Sequence, residues 1–433
     1  MVQREVPGTT ITYELISIDA DGGVRDQKEV KALCQRLARS ADTIRHVYFL
    51  VHGWNNDLRD SEESYDRWLR AVAQAFPEAE VPSSVRFVCL HWPSKAWGSE
   101  TGVGAGQVLG ASAGQAVTAE QAKDTYAMLL GVPADALTEI IEAAAHDYNK
   151  ATLSPSLRRS FEAVRDAMDL DGIEDGSGAG EWDPGAAWKD ISERSLTDLG
   201  LDASAGPAAV LGGGGGGRIL GLLRQLSFWR MKKRARVVGE KGAANVLSDV
   251  IRSVPSARVS LMGHSMGAIV ACAAVDRSSE VSTAKPVQSL FLVQGAFSMW
   301  AFDDSIPVAG GVAGYFRGII DQRLVAGPIL VTRSEHDHAV GTYYPMAARL
   351  ARSVILAAGG KYGAIGAYGA IGLDGASRDL VLHQGGGGDT LDAGCLYNVE
   401  ASNVIRELRP VEGAHNDIAR VELARLAVAA ATA

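Results

Sequence analysis

The spacing of apolar residues along the chain alternates between two periods, which predict strands and helices in turn. Residues 9–18 alternate between apolar and polar positions, whereas residues 47–51 and 85–92 are largely continuous apolar runs. The alternating pattern is typical of a half-buried strand, and the continuous runs are typical of strands buried in a parallel sheet. Residues 26–39 and 65–76 place apolar side chains at helical spacing. This order of elements predicts βαβ units in a doubly wound, mostly parallel α/β sheet.

The strand pattern stops near residue 95 and returns after residue 229. The intervening segment contains helical pieces and Gly-rich tracts, among them six consecutive glycines at 212–217. Such a run costs too much conformational entropy to lie inside a regular element. We interpret residues 96–229 as a helical, Gly-rich insertion that forms a lid or cap before the nucleophile strand described below. Residues 1–95 and 230–433 are interpreted as the α/β core, whose second part predicts further strands at 258–262, 287–294, 328–332 and 396–401.

Composition and charge exclude several classes of protein. The chain has 42 Lys and Arg against 51 Asp and Glu, a net charge of −9, whereas a nucleic-acid binder needs a basic surface that faces phosphate. No apolar run approaches the roughly 20 residues of a transmembrane helix. The N-terminus lacks the apolar region of a secretory signal, so a cytoplasmic location is expected, with leaderless export as the alternative. The 4 cysteines form neither a disulfide framework nor a zinc motif.

Residues 263–267 form the pattern Gly-x-Ser-x-Gly in an informative position. The pattern follows a predicted strand and opens an apolar helix. In that context it is typical of a sharp strand-to-helix turn, whose small flanking residues leave the serine hydroxyl exposed at the end of the sheet. Ser265 is therefore the candidate nucleophile, although the same five residues also occur in incidental Gly-rich turns.

A nucleophilic serine needs a base, and the base needs a carboxylate to orient it. In this kind of sheet, the acid and then the histidine follow the serine along the chain. Asp337 comes just after the predicted strand at 328–332, at the strand end where the sites of open α/β sheets lie. It is the candidate acid, with Glu335, Asp303 and Asp304 as rivals.

The candidate base is one of the histidines that follow Ser265. His415 lies in the loop between the last predicted strand and the closing helix, from which it can reach the same end of the sheet. His383 is its rival in a Gly-rich loop, while His338 adjoins the candidate acid. We therefore predict His415 as the general base.

Two backbone N–H groups are the candidate donors to a developing oxyanion. Met266 directly follows the nucleophile, and Trp54 lies in a His-Gly-Trp turn that ends an earlier buried strand. His52, in the same turn, is interpreted as a structural hydrogen-bonding residue. The side chains of Trp54 and His264 are expected to contact the substrate, with ordinary core packing as the alternative for Trp54.

These motifs together resemble the α/β-hydrolase superfamily over residues 10–95 and 235–433. The sequence segments HGWNND and SEHDHAVG are also similar to those of a poorly characterised bacterial group of serine hydrolases. The resemblance implies an α/β-hydrolase fold and acyl-enzyme chemistry. In that chemistry Ser265 attacks a carbonyl carbon, His415 transfers the proton, and Asp337 stabilises the imidazolium. The inserted segment departs from the common pattern, because many relatives carry their cap one strand later.

The leading functional hypothesis is a serine hydrolase, esterase- or lipase-like, acting on a small-molecule or lipid-like carboxylic ester without a cofactor. A peptidase or amidase with the same triad is one alternative. A catalytically inactive α/β-hydrolase fold used for binding is another. Carboxylate and imidazole at 336–338 suggest metal ligands, but no complete ligand set accompanies them, so no metal is expected.

Residues 218–236 are basic, with apolar residues interleaved at helical spacing. We interpret them as a helix that packs through its apolar side while its Lys and Arg face water. The alternative is a peripheral membrane contact, in which the same helix lies on an anionic lipid surface.

Overall fold

The computed structural model describes most of the chain. The described residues are 3–76, 84–94, 119–146, 148, 150–169, 182–193, 214–281, 286–307, 311–343, 363–373, 375–409 and 412–433. Within them no helix combines the length and the apolar character needed to cross a bilayer.

Nine strands of the described chain form one sheet. They are β1 (Gln3–Glu5), β2 (Thr12–Ser17), β3 (His46–Val51), β4 (Val85–His91), β5 (Arg258–His264), β6 (Ser289–Val293), β7 (Ile329–Arg333), β8 (Ser377–Val381) and β9 (Leu396–Glu400). Their order across the sheet is β1-β2-β4-β3-β5-β6-β7-β9-β8. The β1–β2 pairing is antiparallel and every other pairing in this sheet is parallel, which confirms the prediction of a mostly parallel α/β sheet.

Helices lie on both faces of this sheet. The described α-helices are α1 (Gln27–Arg39), α2 (Leu58–Ala75), α3 (Ala119–Leu130), α4 (Thr138–Ala145), α5 (Pro155–Ala167), α6 (Pro184–Glu193), α7 (Gly214–Val238), α8 (Ala244–Ser253), α9 (Gly267–Val281), α10 (Arg317–Asp321), α11 (Ile365–Tyr368) and α12 (Val421–Thr432). Helices α2 and α12 pack together on one face, and α1, α8 and α9 form the layer on the other.

The buried strands explain why the sheet sits at the centre of the fold. On β3, Tyr48 and Leu50 belong to the apolar cluster under α2 and α12, while Val47 and Phe49 point to the opposite face. Both faces are buried because helices cover them, and both edges of β3 are covered by its pairing with β4 and β5. Burial of each such side chain stabilises the fold by roughly 1.5–3 kcal/mol.

The two edge strands are the elements that the apolar pattern did not predict. All three residues of β1 are exposed, and β8 is mostly exposed. Edge strands with polar side chains show neither the continuous apolar run nor the clean alternation of a buried strand. They are formed by backbone pairing to β2 and β9, which a sequence pattern does not record.

Contacts along the chain divide it into two units. One comprises Met1–Ser94, Arg234–Tyr344 and Ala358–Ala433 and contains the sheet; the other comprises Lys95–Lys233 and Pro345–Ala357. In the second unit, every described element is helical and the unit has its own buried aromatic core, which includes Tyr126, Phe161, Trp182 and Trp188. The Gly-rich tract that begins after residue 95 lies outside the described residues until residue 119. That this unit acts as a lid stays a prediction.

Helix α7 differs from its sequence-based description in two ways. It begins at Gly214, so the prediction that the glycine run lies outside regular elements was wrong for the last residues of that run. Each helical glycine costs about 1 kcal/mol, which the burial of the apolar residues that follow offsets. Those residues are fully buried as expected: Ile219, Leu222, Leu223, Leu226 and Trp229. Lys232, expected in water, is also fully buried, with its Nζ 5.1 Å from the Trp229 ring centroid. In this packing, the apolar side of α7 is not available to a membrane surface.

Candidate active site

Ser265 lies on a tight turn between β5 and α9. Its φ of +56° places it in the left-handed region, which non-glycine residues adopt rarely and mostly where surrounding structure enforces it. A Cβ on Gly263 would lie 2.4 Å from the carbonyl oxygen of Gly267, and a Cβ on Gly267 would lie 2.4 Å from that of His52. Only glycine fits at both positions, so the Gly-x-Ser-x-Gly pattern is a steric requirement of this turn.

Three side chains from distant parts of the chain meet at this turn in one line. The Oγ of Ser265 lies 2.8 Å from His415 Nε2, and His415 Nδ1 lies 2.7 Å from Asp337 Oδ2. An ionised carboxylate only accepts, so a neutral imidazole in this position would carry its proton on Nδ1 and accept from the serine hydroxyl at Nε2. All three residues are buried, with Asp337 only 1% exposed. The arrangement places a base on the hydroxyl and a carboxylate behind the base.

Backbone pairing sets the distance between the Asp337 and His415 loops. Asp337 forms an isolated antiparallel bridge with Gly413, and Ala414 N–H donates to the carbonyl of His336 over 2.8 Å. A Cβ on Gly413 would lie 2.3 Å from that same carbonyl oxygen. The glycine two residues before His415 therefore allows the two loops to approach closely enough for the side chains to bond.

The rival residues lie elsewhere in the described structure. The Glu335 side chain is 76% exposed and lies 3.7 Å from His336, and that of Asp304 is 64% exposed. Asp303 is buried, but its Oδ1 accepts from Ser305 N–H within its own loop. His383 is exposed beyond the end of β8. None of these four has a hydrogen bond to the Ser265–His415 pair in the described residues.

His264, which is expected to contact the substrate, lies against His415. Its Nε2 lies 3.0 Å from the carbonyl oxygen of His415, and the centroids of the two rings lie 4.9 Å apart. Burial, and then the nearby His415, lower the pKa of His264 to about 3. The His264 ring is therefore neutral near pH 7 and donates from Nε2 to the backbone of the base. A direct contact with substrate stays a prediction.

His52 is tied to its surroundings at four atoms. Its Nδ1 lies 2.9 Å from Gly53 O, while its Nε2 accepts from Trp92 N–H over 3.2 Å. The His52 backbone N–H donates to Tyr65 Oη, and its carbonyl accepts from Trp92 Nε1. Burial, and then the nearby His91, lower the pKa of His52 well below its usual range. A neutral ring protonated on Nδ1 satisfies every one of these contacts, which supports the structural role expected for His52.

The Gly53–Trp54 peptide is oriented by two donors. The carbonyl oxygen of Gly53 accepts from His52 Nδ1 and from Asn56 Nδ2, the latter over 3.1 Å. Because the N–H and C=O of one peptide point in opposite directions, the Trp54 N–H points away from both donors. A Cβ on Gly53 would lie 2.9 Å from Ser265 Cβ, so this peptide runs directly against the nucleophile. The indole of Trp54 is partly exposed beside it.

Met266 is the other candidate oxyanion donor. It is the residue directly after the nucleophile and the last one before α9, so its N–H is at the positive end of that helix. Its side chain is buried. Both candidate donors are therefore backbone groups adjacent to the serine.

Gln294 is the residue of this site that sequence reasoning missed. It directly follows β6, is fully buried, and donates from Nε2 to Asp337 Oδ2 over 2.7 Å. One signal was available: a polar residue ends a continuous apolar strand, at the same edge of the sheet where Ser265 and Asp337 follow their own strands. This signal did not identify Asp337 as the hydrogen-bond partner of Gln294, because the two residues are separated by 43 positions in the chain.

The residues at 336–338 do not assemble a metal site in the described chain. Within the described residues there is no group of three or more His, Cys, Asp or Glu side chains that could hold a metal ion. The Asp337 carboxylate is directed to His415, and His338 is exposed.

Comparisons with protein-family models, with curated proteins and with solved structures find no match to this chain. Its chemistry is therefore inferred from the arrangement of its own side chains.

Proposed function

We propose that this chain is a serine hydrolase of the α/β-hydrolase fold, which cleaves carboxylic esters through an acyl-enzyme intermediate. The observation that carries the proposal is the line of contacts from Ser265 Oγ through His415 to Asp337, with both hydrogen bonds shorter than 3 Å. The strained turn at Ser265 adds support, since backbone strain of this kind is concentrated at functional sites. A binding protein would gain nothing from maintaining both features.

The order of the site along the chain supports the same fold assignment. The nucleophile follows β5, the acid follows β7, and the base follows β9. All three strands are parallel members of one sheet, so their carboxyl ends lie at one edge. Serine, then acid, then histidine is the order typical of α/β-hydrolases and differs from the orders of other serine hydrolase folds.

Each group has one role in the proposed reaction. His415 Nε2 takes the proton of Ser265 as its Oγ attacks the ester carbonyl carbon, and Asp337 stabilises the imidazolium that forms. The oxygen that becomes negative is stabilised by the N–H groups of Trp54 and Met266. The tetrahedral intermediate expels the alcohol, which takes its proton from His415. Water, activated by the same histidine, then releases the acid and restores Ser265.

Covalent labelling tests whether the chain is an enzyme of this class. A fluorophosphonate probe should label the wild-type protein and fail to label Ser265→Ala. A matched control is Ser278→Ala, because Ser278 is also buried but donates within α9 to the carbonyl of Val275. That variant should label as the wild type does. An unlabelled wild-type protein, or equal labelling of Ser265→Ala, would overturn the proposal.

A substrate panel tests the reaction class. p-Nitrophenyl esters of increasing acyl length should be hydrolysed by the wild-type protein, and the preferred length would report the depth of the acyl site. The corresponding anilides require protonation of a leaving amine and should react far more slowly. Faster turnover of the anilides would replace the ester assignment with an amidase.

A further inference from the structure

The Asp337 carboxylate is held by three donors of different kinds. Its Oδ2 accepts from His415 Nδ1 and from Gln294 Nε2, both at 2.7 Å, and its Oδ1 accepts from Val340 N–H at 3.1 Å. Two of these donors belong to groups that do not titrate. The plane of the carboxylate is therefore fixed from both of its oxygens, and Oδ2 is shared between the base and Gln294.

The amide of Gln294 is itself held in one orientation by Thr332. The Thr332 hydroxyl donates to Gln294 Oε1 and accepts from the Gln294 backbone N–H, each over 2.9 Å. Because Oε1 faces a donor, Nε2 must face Asp337. Thr332 is on β7 and Gln294 directly follows β6. Because these two strands pair with each other in the sheet, the two side chains lie side by side.

The backbone of Gln294 adopts an unfavourable conformation to make these contacts. Its φ is +49°, in the left-handed region that glycine adopts more readily. The residue is also fully buried, so its side chain does not reach solvent. A strained, buried amide directed at the candidate acid is difficult to explain by packing alone.

We infer that Gln294 is a positioning residue for the Asp337–His415 pair, and that Thr332 fixes the orientation of its amide. This inference rests on the proposed serine hydrolase function. An amide donor stabilises the ionised carboxylate and holds its Oδ2 on His415 Nδ1, yet it neither takes nor gives a proton during the reaction. The pair therefore keeps one mobile proton, on the imidazole, where the proposed chemistry needs it.

The first test replaces the amide by a thioether of similar length. Gln294→Met removes the donor to Asp337 and retains Ser265, His415 and Asp337. We expect kcat for ester hydrolysis to fall by roughly tenfold to hundredfold, since hydrogen bonds to charged groups are among the stronger ones, with KM unchanged. An unchanged kcat in a folded variant, judged by circular dichroism and thermal unfolding, would overturn the inference.

The second test introduces a pH dependence that a purely structural role would not produce. In Gln294→Glu, a protonated side chain can still donate to Asp337, whereas an ionised one places a second negative charge beside it. The ratio of variant to wild-type kcat should therefore fall as pH rises. A ratio that is constant across the pH range would contradict the positioning role.

A matched pair at Thr332 tests the orientation of the amide. Thr332→Val removes the hydroxyl at nearly constant volume and allows the amide to turn its oxygen toward Asp337, so kcat should fall. Thr332→Ser retains the hydroxyl and should retain most of the activity. The double variant Gln294→Met with Thr332→Val should be no slower than Gln294→Met alone, because the two residues act through one contact. Additive losses would overturn the role of Thr332.

The rate of fluorophosphonate labelling distinguishes a failure of the proposed function from a failure of the role assigned to Gln294. Wild-type protein that is not labelled at Ser265 would overturn the proposed function together with the role of Gln294. Wild type that is labelled, with Gln294→Met labelled equally fast, would overturn the role of Gln294 alone. Slower but complete labelling of Gln294→Met and of Thr332→Val is the result expected from both.

Discussion

His264 Nε2 donates to the carbonyl oxygen of His415 over 3.0 Å, so the residue before Ser265 holds the backbone of His415. The contact joins the β5 turn to the loop that follows β9, two segments separated by 151 positions. It requires a neutral His264 ring with its proton on Nε2. Burial secures that state by lowering the pKa of His264 to about 3.

The lowered pKa of the buried His264 predicts how the free energy of unfolding depends on pH. The unfolded chain takes up a proton on His264 near its ordinary pKa of 6.5, while the folded protein does so only near pH 3. Below pH 6.5 the unfolded state therefore binds more protons, and the free energy of unfolding falls as pH falls, by up to about 1.4 kcal/mol for each pH unit. His52, whose pKa is also lowered, acts in the same direction. No such contribution is expected above pH 6.5.

Urea unfolding between pH 4 and pH 8 measures this dependence. His264→Gln keeps a donor near the position of Nε2 but does not titrate, so its stability should vary less with pH than that of the wild type. His383→Gln, at an exposed position, controls for the loss of a histidine as such. An identical pH dependence in His264→Gln and wild type would show that His264 does not contribute to acid sensitivity.

Under the proposed function, removal of Ser265, His415 or Asp337 should give large and non-additive losses of activity. In serine hydrolases of this chemistry, loss of the nucleophile or the base lowers kcat on the order of 10⁶-fold. Asp337→Asn should lower it by about 10⁴-fold, because the amide favours the wrong tautomer of His415. The double variant of Ser265 and His415 should be no slower than either single variant. Steady-state hydrolysis of a p-nitrophenyl ester measures all four.

The control for these variants is Ser278→Ala, which removes a buried hydroxyl from α9 without touching the triad. Its kcat should equal that of the wild type. Additive losses on combining Ser265→Ala with His415→Ala would indicate that the two side chains do not act as one unit, and would contradict the mechanism.

The three residues of the candidate triad could be predicted from the sequence because each lies in or directly after a recognisable local pattern. Small residues flank Ser265 because the turn leaves no room for a Cβ, and Asp337 and His415 each follow an element with a clear apolar pattern. The three side chains lie in hydrogen-bond contact at the predicted edge of the sheet. Nothing in the pattern, however, determines the hydrogen bonds between them.

Other parts of the site depend on contacts that no local pattern records. Gln294 looked like the last residue of an apolar strand, and its role is visible only once β6 and β7 are paired and Thr332 lies beside it. The hydrogen bond from His264 to the carbonyl oxygen of His415 is likewise not recorded in the pattern around Ser265, because the two residues are 151 positions apart.

Gly53 should tolerate no side chain, because the turn that carries Trp54 runs directly against the nucleophile. An added Cβ would lie 2.9 Å from Ser265 Cβ and 3.0 Å from His264 Nδ1. Gly53→Ala should therefore displace the turn, lower the free energy of unfolding by roughly 1–3 kcal/mol, and reduce kcat by more than tenfold. Gly388→Ala is the matched control, since nothing lies within 4 Å of the Cβ it would gain. Wild-type kcat in Gly53→Ala would show that this turn is not part of the site.

Asn56 should influence catalysis through the orientation of one peptide. Its Nδ2 donates to the carbonyl oxygens of Gly53 and Trp54, over 3.1 and 3.0 Å. Asn56→Asp replaces this donor by a carboxylate of the same shape, which repels the Gly53 carbonyl and turns the Trp54 N–H from its position. Loss of a whole oxyanion donor costs about 10²–10³-fold in kcat, so displacement of one donor should cost at least tenfold.

The decisive test of Asn56→Asp compares the effect of the substitution on substrate binding with its effect on binding of the transition state. If the Trp54 N–H acts on the developing oxyanion, KM for a p-nitrophenyl ester should change little, whereas affinity for a boronic acid that mimics the tetrahedral intermediate should fall in parallel with kcat. Asn416→Asp is a suitable control, because Asn416 is exposed and donates only to Glu412 among the described residues. A parallel rise in KM without weaker boronic acid binding would instead place Asn56 in substrate binding, because an interaction made equally in both states changes KM and not kcat.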